Sequence, residues 1–330
     1  MVEFPPRLAL ANLPTPLIPL TQFSNSLGGP TIWVKRDDLT GSGLSGNKIR
    51  KLEFVTAQAK QQGADTLITC GGLQSNHCRA TALVGAQLGL QVHLLLREEG
   101  SGEIDGNLLL DHLAGATIER IPKAKFVREL PELLAKRQQH YHQQGRTAHI
   151  IPTGASDGTG VWGYVRCIEE LISDFQTHGI QPTKIVCATG SGGTQAGLSL
   201  GCQLFGLDVE TIGYAVCDNE DYFTRKVKQD VEQCAAQFGL KESISNDLKT
   251  RTIDRYIGPG YAKGYPELYE CIHSVARQTG LLLDPIYTGK AFFGLIEDIK
   301  NGLYANDQDV VFIHTGGTFG LFAHKHEFNF

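Results

Sequence analysis

The first half of the chain alternates short apolar segments with longer stretches in which apolar and polar residues recur at helical spacing. The apolar segments predict strands at 66–70, 92–96, 117–121 and 149–151, and the stretches between them predict helices at 75–88, 107–114 and 129–144. Strands that are apolar at consecutive positions are buried on both faces. Their alternation with helices indicates a parallel sheet covered by helices.

The same alternation returns in the second half of the chain. Strands are predicted at 185–188, 209–216 and 310–313, and helices at 193–204, 224–237 and 264–280. An apolar and charged segment at 33–38 precedes both halves, and we expect it to join the second one. The sequence therefore predicts an α/β fold of two domains, each with a mainly parallel twisted sheet covered by helices. Residues 1–46 and 165–330 would form the large domain, and residues 47–164 a small inserted one.

A glycine-rich segment follows the strand at 185–188 and opens the next helix. It consists of Ala188, Thr189, Gly190, Ser191, Gly192, Gly193 and Thr194. Glycines let the backbone approach an anion closely, and a helix N-terminus supplies free N–H groups. A P-loop would need a lysine after the last glycine, and a dinucleotide fingerprint would need a third glycine at the position of Gln195. The pattern therefore favours a monophosphate, with a glycine-rich turn that binds nothing as the alternative.

Lys48 follows a Gly/Ser-rich turn at 43–46 and lies at the start of an amphipathic helix. The helix dipole disfavours a cation there, which lowers the pKa of the amine and favours a nucleophile. A single lysine at a helix start is more often a solvated surface residue. In combination with polar segments at 74–77 and 314–317, however, Lys48 and the glycine-rich loop supply the parts of a pyridoxal phosphate (PLP) site. In such a site the lysine forms a Schiff base with the cofactor.

Four other side chains are candidates for this site. Ser75 and Asn76 begin a helix, so they are helix caps on one interpretation. On the other, Asn76 contacts the ring hydroxyl of the cofactor and the N–H groups around Ser75 bind a substrate carboxylate. Thr315 follows a strand and could meet the pyridine nitrogen. Tyr287 precedes another helix, where a single tyrosine more often serves packing than catalysis.

Composition and charge exclude several other classes of function. The net charge of −5 argues against nucleic acid or an anionic membrane as a partner. The N-terminus lacks a basic stretch followed by an apolar one, and no apolar run approaches the roughly 20 residues of a membrane span, so we expect a cytoplasmic enzyme. The eight cysteines are scattered and predict buried free thiols. The 11 histidines show no zinc spacing, so no metal is expected.

Taken together, these motifs resemble those of the PLP-dependent enzymes of the tryptophan synthase β-subunit fold type, known as fold type II. More narrowly, the chain is similar to the family of D-cysteine desulfhydrases and 1-aminocyclopropane-1-carboxylate (ACC) deaminases. The resemblance begins at residues 15–17 and 35–39 and ends at residues 314–317, so it covers nearly the whole chain. It implies PLP as cofactor, a small amino acid as substrate and a homodimer.

The resemblance also implies a role for each site residue. Lys48 matches the Schiff-base lysine, and Asn76 the partner of the cofactor's 3-hydroxyl. Ser75, Asn76 and His77 match the segment beside the substrate, Tyr287 matches a substrate-facing tyrosine, and Tyr261 a second active-site tyrosine. The phosphate cup would be formed by Thr189, Gly190, Ser191, Gly192, Gly193 and Thr194, and Thr315 would lie at the pyridine nitrogen.

Three positions distinguish the two branches of this family. ACC deaminases carry a glutamate at the position of Thr288, a leucine at that of Thr315 and a glutamine at that of His77. A glutamate near the pyridine nitrogen keeps it protonated and strengthens the electron sink, whereas a threonine hydroxyl gives a weaker sink. Loss of a good leaving group from the β-carbon needs less stabilisation than opening a cyclopropane ring.

The resemblance therefore favours conversion of D-cysteine to pyruvate, ammonia and hydrogen sulfide, with Lys48 as the base that takes the α-proton. Three alternatives remain open. One is ACC deaminase activity on the same scaffold. Another is a related elimination from L-cysteate, as in a sulfo-lyase, or from β-chloroalanine. The third, of another class, is a non-catalytic protein that binds a phosphate ligand.

Overall fold

A computed structural model describes residues 2–98 and 102–328. Within these ranges the strands are β1 (Leu17–Pro19), β2 (Thr31–Lys35), β3 (Thr66–Gly72), β4 (Gln91–Glu98), β5 (Thr117–Pro122), β6 (Ala148–Ile150), β7 (Lys184–Thr189), β8 (Glu210–Ala215), β9 (Thr250–Ile253) and β10 (Asp309–Ile313). The α-helices are α1 (Thr21–Leu27), α2 (Asn47–Gln61), α3 (Asn76–Leu88), α4 (Gly106–Leu113), α5 (Lys123–Gln143), α6 (Trp162–His178), α7 (Gly193–Phe205), α8 (Glu220–Phe238), α9 (Pro266–Thr279), α10 (Thr288–Lys300) and α11 (Thr318–Phe322).

The larger sheet has six strands in the order β1-β2-β10-β7-β8-β9, and all neighbours are parallel except β1 and β2. One of its two central strands, β10, is buried on both faces. Val310 and Phe312 point into one apolar core, which includes residues of α9 and α10, and Val311 and Ile313 point into another, which includes residues of α6. This two-sided burial is what consecutive apolar positions predict, and the predicted fold class is confirmed.

The smaller sheet has four parallel strands in the order β5-β4-β3-β6. All four come from one continuous stretch of chain, whereas the larger sheet combines strands from both ends of the chain. Helix α2 packs against α3 on one side and α6 on the other, so it lies between the two sheets' helices. The domain boundaries at residues 46/47 and 164/165 stay a prediction.

Some helices differ from those that the sequence predicts. Helix α5 begins at Lys123 rather than 129 and continues through Pro131. Helix α8 begins at Glu220 rather than 224, because Asn219 Oδ1 accepts a hydrogen bond from the N–H of Tyr222 at 2.9 Å. Helix α6 was not predicted, although its buried residues Tyr164, Cys167, Ile168, Leu171 and Phe175 follow helical spacing.

The state of the cysteines and the character of the helices bear on two further sequence predictions. The eight cysteines are free, and six of them are buried. Over the part of the chain that the structure describes, none of the helices combines the length and apolarity that a membrane span requires.

A buried network of charges fixes the start of α2. The Arg50 guanidinium donates to both carboxylate oxygens of Asp37 at 2.8 Å, and it also donates to Glu170 of α6 at 2.9 and 3.0 Å. Tyr164 donates its hydroxyl to Asp37 at 2.6 Å. Burial alone would raise the pKa of Asp37, but the charge and hydrogen bonds of Arg50 hold that pKa below its ordinary value. Because Lys48 lies two residues before Arg50, this network helps to hold Lys48 in place.

Candidate active site

A cavity of about 210 Å³ opens where strands of both sheets end. Its walls come from the carboxyl ends of β3 and β7 and from the residues that follow β8 and β10, which is where open α/β sheets bind ligands. The sequence-predicted residues that line it are Lys48, Ser75, Asn76, His77, Thr189, Gly190, Ser191, Gly192, Thr194, Tyr261, Tyr287 and Thr315. Gly193 is not among the lining residues, and its N–H donates to the Ser156 hydroxyl at 3.2 Å.

Lys48 and Thr315 are brought together by a close backbone contact. The N–H of Asn47 donates to the Thr315 carbonyl at 3.1 Å. Gly46 has a φ of +106°, and a Cβ added there would lie 2.7 Å from the same carbonyl oxygen. Only glycine fits at this position, since any side chain would clash with backbone. The glycine in the turn before Lys48 therefore allows α2 to pack directly against the end of β10.

The Lys48 amine has a pKa lowered to about 8, chiefly by burial and next by the charge of Arg79, with Asp284 acting in the opposite direction. The sequence predicts a lowered pKa from the helix dipole, but the structure identifies burial as the larger cause. At pH 7 roughly one-tenth of an amine with this pKa is neutral, against less than a thousandth for an ordinary lysine. Lys48 can therefore act as a nucleophile and as a base.

The glycine-rich loop joins β7 to α7. Gly192, with a φ of +85°, caps the first turn of α7. The hydroxyl oxygen of Thr189 is buried and has no hydrogen-bond partner among the described residues. Such an atom is costly unless a ligand satisfies it. A backbone turn at a helix N-terminus with an unsatisfied hydroxyl beside it fits a phosphate group.

Lys51 was missed by the sequence predictions, although it lies beside this loop. Its Nζ donates to the Gly154 carbonyl at 3.1 Å and to the Ser156 hydroxyl at 3.2 Å. It would also lie 2.8 Å from a Cβ added at Gly193, so the amine stands at the start of α7. Burial, and then the charge of Lys48, hold the pKa of Lys51 well below its usual value, so an anion in the loop would stabilise its charged form. The available signal was its spacing from Lys48, since residues three apart share a helix face.

The segment at the start of α3 combines capping with cavity contacts. The Ser75 hydroxyl accepts from the N–H of Cys78 at 3.2 Å, so the cap interpretation is correct. The Oδ1 atom of Asn76 accepts from the side chain of Asn107 at 3.0 Å. Its amide NH₂ group is therefore the part of Asn76 that can donate to a ligand. Asn107 has no local sequence signal that connects it with Asn76.

His77 lines the cavity as a neutral ring. Thr69 donates its hydroxyl proton to the Ile151 carbonyl at 2.8 Å, so it must accept from the Nε2–H of His77 at 2.8 Å. Nδ1 of His77 then carries the lone pair, and it is buried without a partner among the described residues. Burial, followed by the charges of Lys48 and Lys51, holds the pKa of His77 well below its usual value. His77 therefore offers a hydrogen-bond acceptor and no charge.

Tyr261 and Tyr287 form a hydroxyl pair that also lines the cavity. Their oxygens lie 2.5 Å apart and their rings meet edge to face. Burial raises the pKa of Tyr287 well above its usual value, so its proton is retained. When Tyr261 is the donor within the pair, the Tyr287 O–H can donate to a ligand.

Thr288 follows Tyr287 but does not line the cavity. Its hydroxyl donates to the buried carboxylate of Asp284 at 2.7 Å, and the N–H groups of Ile286, Tyr287 and Thr288 donate to the same carboxylate at 2.9 Å each. Asp284 therefore caps α10 and fixes the position of Tyr287.

Other residues that line the cavity were not among the predicted site residues, although Ala188 and Gly316 lie in the predicted segments at 188–194 and 314–317. They are Asn47, Gly71, Gly72, Arg97, Phe126, Thr153, Gly154, Ala188, Cys217, Asp218 and Gly316. Cys217 and Asp218 follow β8, so the rule that ligands bind at strand ends could have identified them. Asp218 has a φ of +47°, a strained conformation for a residue with a side chain.

Comparison with known proteins agrees with this geometry. The model of the family described as "Pyridoxal-phosphate dependent enzyme" matches residues 8–316. A Thermotoga maritima protein, provisionally named as a 1-aminocyclopropane-1-carboxylate deaminase, is 42% identical over 96% of this chain and 98% of its own. The mitochondrial bifunctional D-cysteine desulfhydrase/1-aminocyclopropane-1-carboxylate deaminase of Arabidopsis thaliana is 39% identical over 95% of this chain and 79% of its own.

A solved structure described as an ACC deaminase homologue superposes with a TM-score of 0.90. It is 36% identical to this chain and covers 98% of this chain and 95% of its own. A match of this extent shows that the two chains share both their fold and their sequence family. The chain therefore belongs to the pyridoxal-phosphate-dependent enzymes and has their fold type II architecture.

Proposed function

We propose that this enzyme converts D-cysteine and water to pyruvate, ammonia and hydrogen sulfide. The observation that carries the proposal is the residue at position 315, which lines the cavity. Thr315 offers a hydroxyl there, and the neighbouring carboxylate, Asp284, is occupied by four hydrogen bonds from residues 286–288. A hydroxyl rather than a carboxylate at the ring nitrogen supports a weak electron sink, which suffices for loss of a good leaving group.

The residues of the cavity are suited to hold PLP. The loop from Thr189 to Thr194, with Lys51 beside it, would bind the phosphate, Asn76 would donate to the ring oxygen, and Thr315 would face the ring nitrogen. When bound, PLP joins the amino group of the substrate and withdraws electrons from its α-carbon.

The side chains of this chain then supply proton transfer and orientation. Lys48, with a pKa near 8 and a short tether, takes the proton from the α-carbon. The bond from the β-carbon to sulfur breaks with its electron pair staying on sulfur, and the Tyr287 O–H can donate a hydrogen bond to the leaving sulfur. Ser75 at the start of α3 would bind the carboxylate, aided by the free N–H groups of the first helical turn. Later addition of water gives pyruvate and ammonia.

ACC deaminase is the second candidate, since the relatives carry both names. The bifunctional relative from Arabidopsis shows by its name that the two activities are compatible with one protein. The glutamate that deaminases carry at the position of Thr288 is absent here, which favours the desulfhydrase. Elimination of sulfite from L-cysteate uses the same steps with a different leaving group.

The test is to assay the purified, PLP-loaded enzyme for sulfide and keto acid with D-cysteine, L-cysteine, L-cysteate and ACC. We expect sulfide and pyruvate from D-cysteine, at a kcat/KM at least tenfold above that for the other three. Production of 2-oxobutanoate from ACC without sulfide from D-cysteine would overturn the assignment while leaving the cofactor in place. A protein that shows no cofactor absorption after incubation with PLP would instead support a non-catalytic role.

We also propose a homodimer in the cytoplasm, as the family resemblance implies. Leu282 and Phe322 are 51% and 54% exposed and border an apolar groove between α9 and α11, which supports a partner on that face. Light scattering of the PLP-loaded enzyme would test the dimer, and a mass of about one chain would contradict it.

A further inference from the structure

Asn107, on α4, has a side-chain orientation that its neighbours determine without ambiguity. The Nε–H of Arg79 can only donate, and it reaches Asn107 Oδ1 at 3.1 Å. The backbone carbonyl of Gln74 can only accept, and Asn107 Nδ2 lies 3.1 Å from it. The second N–H of Asn107 Nδ2 therefore points to Asn76, at 3.0 Å. All three side chains are buried, since Arg79 is 1% exposed, Asn107 0% and Asn76 9%.

The orientation of the Asn107 amide also determines the orientation of the Asn76 amide. Because Asn107 donates to Asn76, the atom of Asn76 at this contact must be the acceptor, Oδ1. The NH₂ group of Asn76 is thereby directed away from Asn107, and Asn76 lines the cavity. Without Asn107, an asparagine amide could rotate by half a turn at little cost and present its oxygen instead. A cofactor oxygen that carries negative charge would meet a repelling carbonyl in that orientation.

Arg79 connects the same chain of contacts to the lysine side of the cavity. Its two terminal nitrogens donate to the backbone carbonyls of Gly43 and Ser45, with the Ser45 contact at 2.8 Å. These residues form the turn before Lys48. The ring of Phe319 covers the guanidinium at 5.0 Å, so water has little access to it.

We propose that Asn107 and Arg79 are positioning residues. They hold the Asn76 amide with its NH₂ group towards the ring oxygen of PLP. The inference rests on PLP binding, which the family establishes, and on the cofactor role proposed above for Asn76. It does not depend on which amino acid is the substrate. The test therefore measures cofactor binding rather than turnover, so a failed D-cysteine assay would leave it intact.

The decisive variant is Asn107→Asp, compared with Asn107→Ala. An aspartate keeps the acceptor for Arg79 but cannot donate to Asn76, so the Asn76 amide should rotate and donate to the new carboxylate. An alanine removes both partners and leaves Asn76 free to adopt either orientation. We expect PLP affinity to fall roughly ten- to a hundredfold in Asn107→Asp, and by less in Asn107→Ala, since hydrogen bonds to charged groups contribute most.

Two measurements on the PLP-loaded variants test this order. Equilibrium dialysis gives the Kd for PLP. A pH titration of the visible absorption of the bound cofactor gives a midpoint that should rise when the Asn76 donor is lost, because the ionised ring oxygen is then less stabilised. Asn25→Asp is the matched control, since it makes the same substitution at an exposed position of α1. Its Kd and midpoint should equal those of the unmodified enzyme.

Equal Kd values for Asn107→Asp and the unmodified enzyme would overturn the proposal. Equal losses in the aspartate and alanine variants, with no change of midpoint, would also overturn it, because they would indicate a structural role only. If Asn107→Asp fails to fold, as judged by its thermal transition, Asn107→Ala must still weaken PLP binding and raise the midpoint. Unchanged values in that variant would refute the inference.

Discussion

Replacing Asp111 by asparagine should stabilise the enzyme at alkaline pH far more than at acidic pH. The Asp111 side chain is fully buried, and neither of its carboxylate oxygens has a hydrogen-bond partner among the described residues. Burial raises its pKa to about 8, and the charge of Arg79 on the neighbouring helix opposes this only in part. The thiol of Cys78 also faces it, and that group is neutral because burial raises its pKa well above the usual value.

The magnitude follows from the difference between the folded and unfolded pKa. Unfolded, Asp111 would lose its proton near pH 3.8, and folded it keeps the proton to about pH 8. Between these values the folded state binds the extra proton, so the free energy of unfolding falls as the pH rises. From pH 5 to pH 8 the upper limit is roughly 4 kcal/mol, at about 1.4 kcal/mol per pH unit. Local relaxation and entry of water reduce such penalties, so we expect about 2 kcal/mol.

Urea denaturation of the PLP-loaded Asp111→Asn enzyme and of the unmodified enzyme, at pH 5 and pH 8.5, would measure this. The advantage of the variant should grow by about 2 kcal/mol between the two values. Asp208→Asn is the control, because the Asp208 side chain is 84% exposed, and its effect should not change with pH. An advantage of Asp111→Asn that is the same at both pH values would show that this carboxylate is already ionised or already paired in the folded state.

Three further substitutions test other parts of the structure. Lys48→Ala should lower turnover by at least a hundredfold because it removes the base, whereas Lys228→Ala on the surface should leave turnover unchanged. Full activity in Lys48→Ala would exclude the proposed role of Lys48 as the base. Arg50→Leu should lower the free energy of unfolding in urea by about 3–5 kcal/mol, because it leaves Asp37 buried without its partner. A decrease no greater than that of the exposed Arg128→Leu would contradict this. Gly46→Ala should lower kcat, since its Cβ would displace the Thr315 carbonyl beside Lys48, whereas Gly63→Ala also has a positive φ but open space around it and should leave kcat unchanged.

The parts of the site that the sequence predicts are those with a local signal. The glycine-rich loop, Lys48 after its turn, and the polar residues that follow strands all lie in short motifs, and the sheet topology brings them to one edge. Their individual roles stay predictions.

The residues that sequence reasoning missed act through contacts between distant segments. Arg79 and Asn107 are 28 positions apart, and nothing in the polar face of α3 distinguishes an arginine that is buried from one in solvent. Lys51 and Ser156 are 105 positions apart, so their contact depends on how α2 packs beside the end of β6. Gly193 was assigned to the phosphate cup by its position in the motif, but its N–H is already bound to Ser156.

The pairing of β2 with β10 has a consequence for the order in which the chain becomes competent during synthesis. Trp33 is aligned with Val311, and the turn that ends at Gly46 rests on Thr315. A growing chain that has emerged only to about residue 300 contains Lys48, the glycine-rich loop and both tyrosines. It lacks β10 and Thr315, against which the start of α2 packs. Contacts at such separation form slowly, because a long loop must close first. The site should consequently take up its cofactor only once β10 has paired with β2 and Thr315 has reached the start of α2.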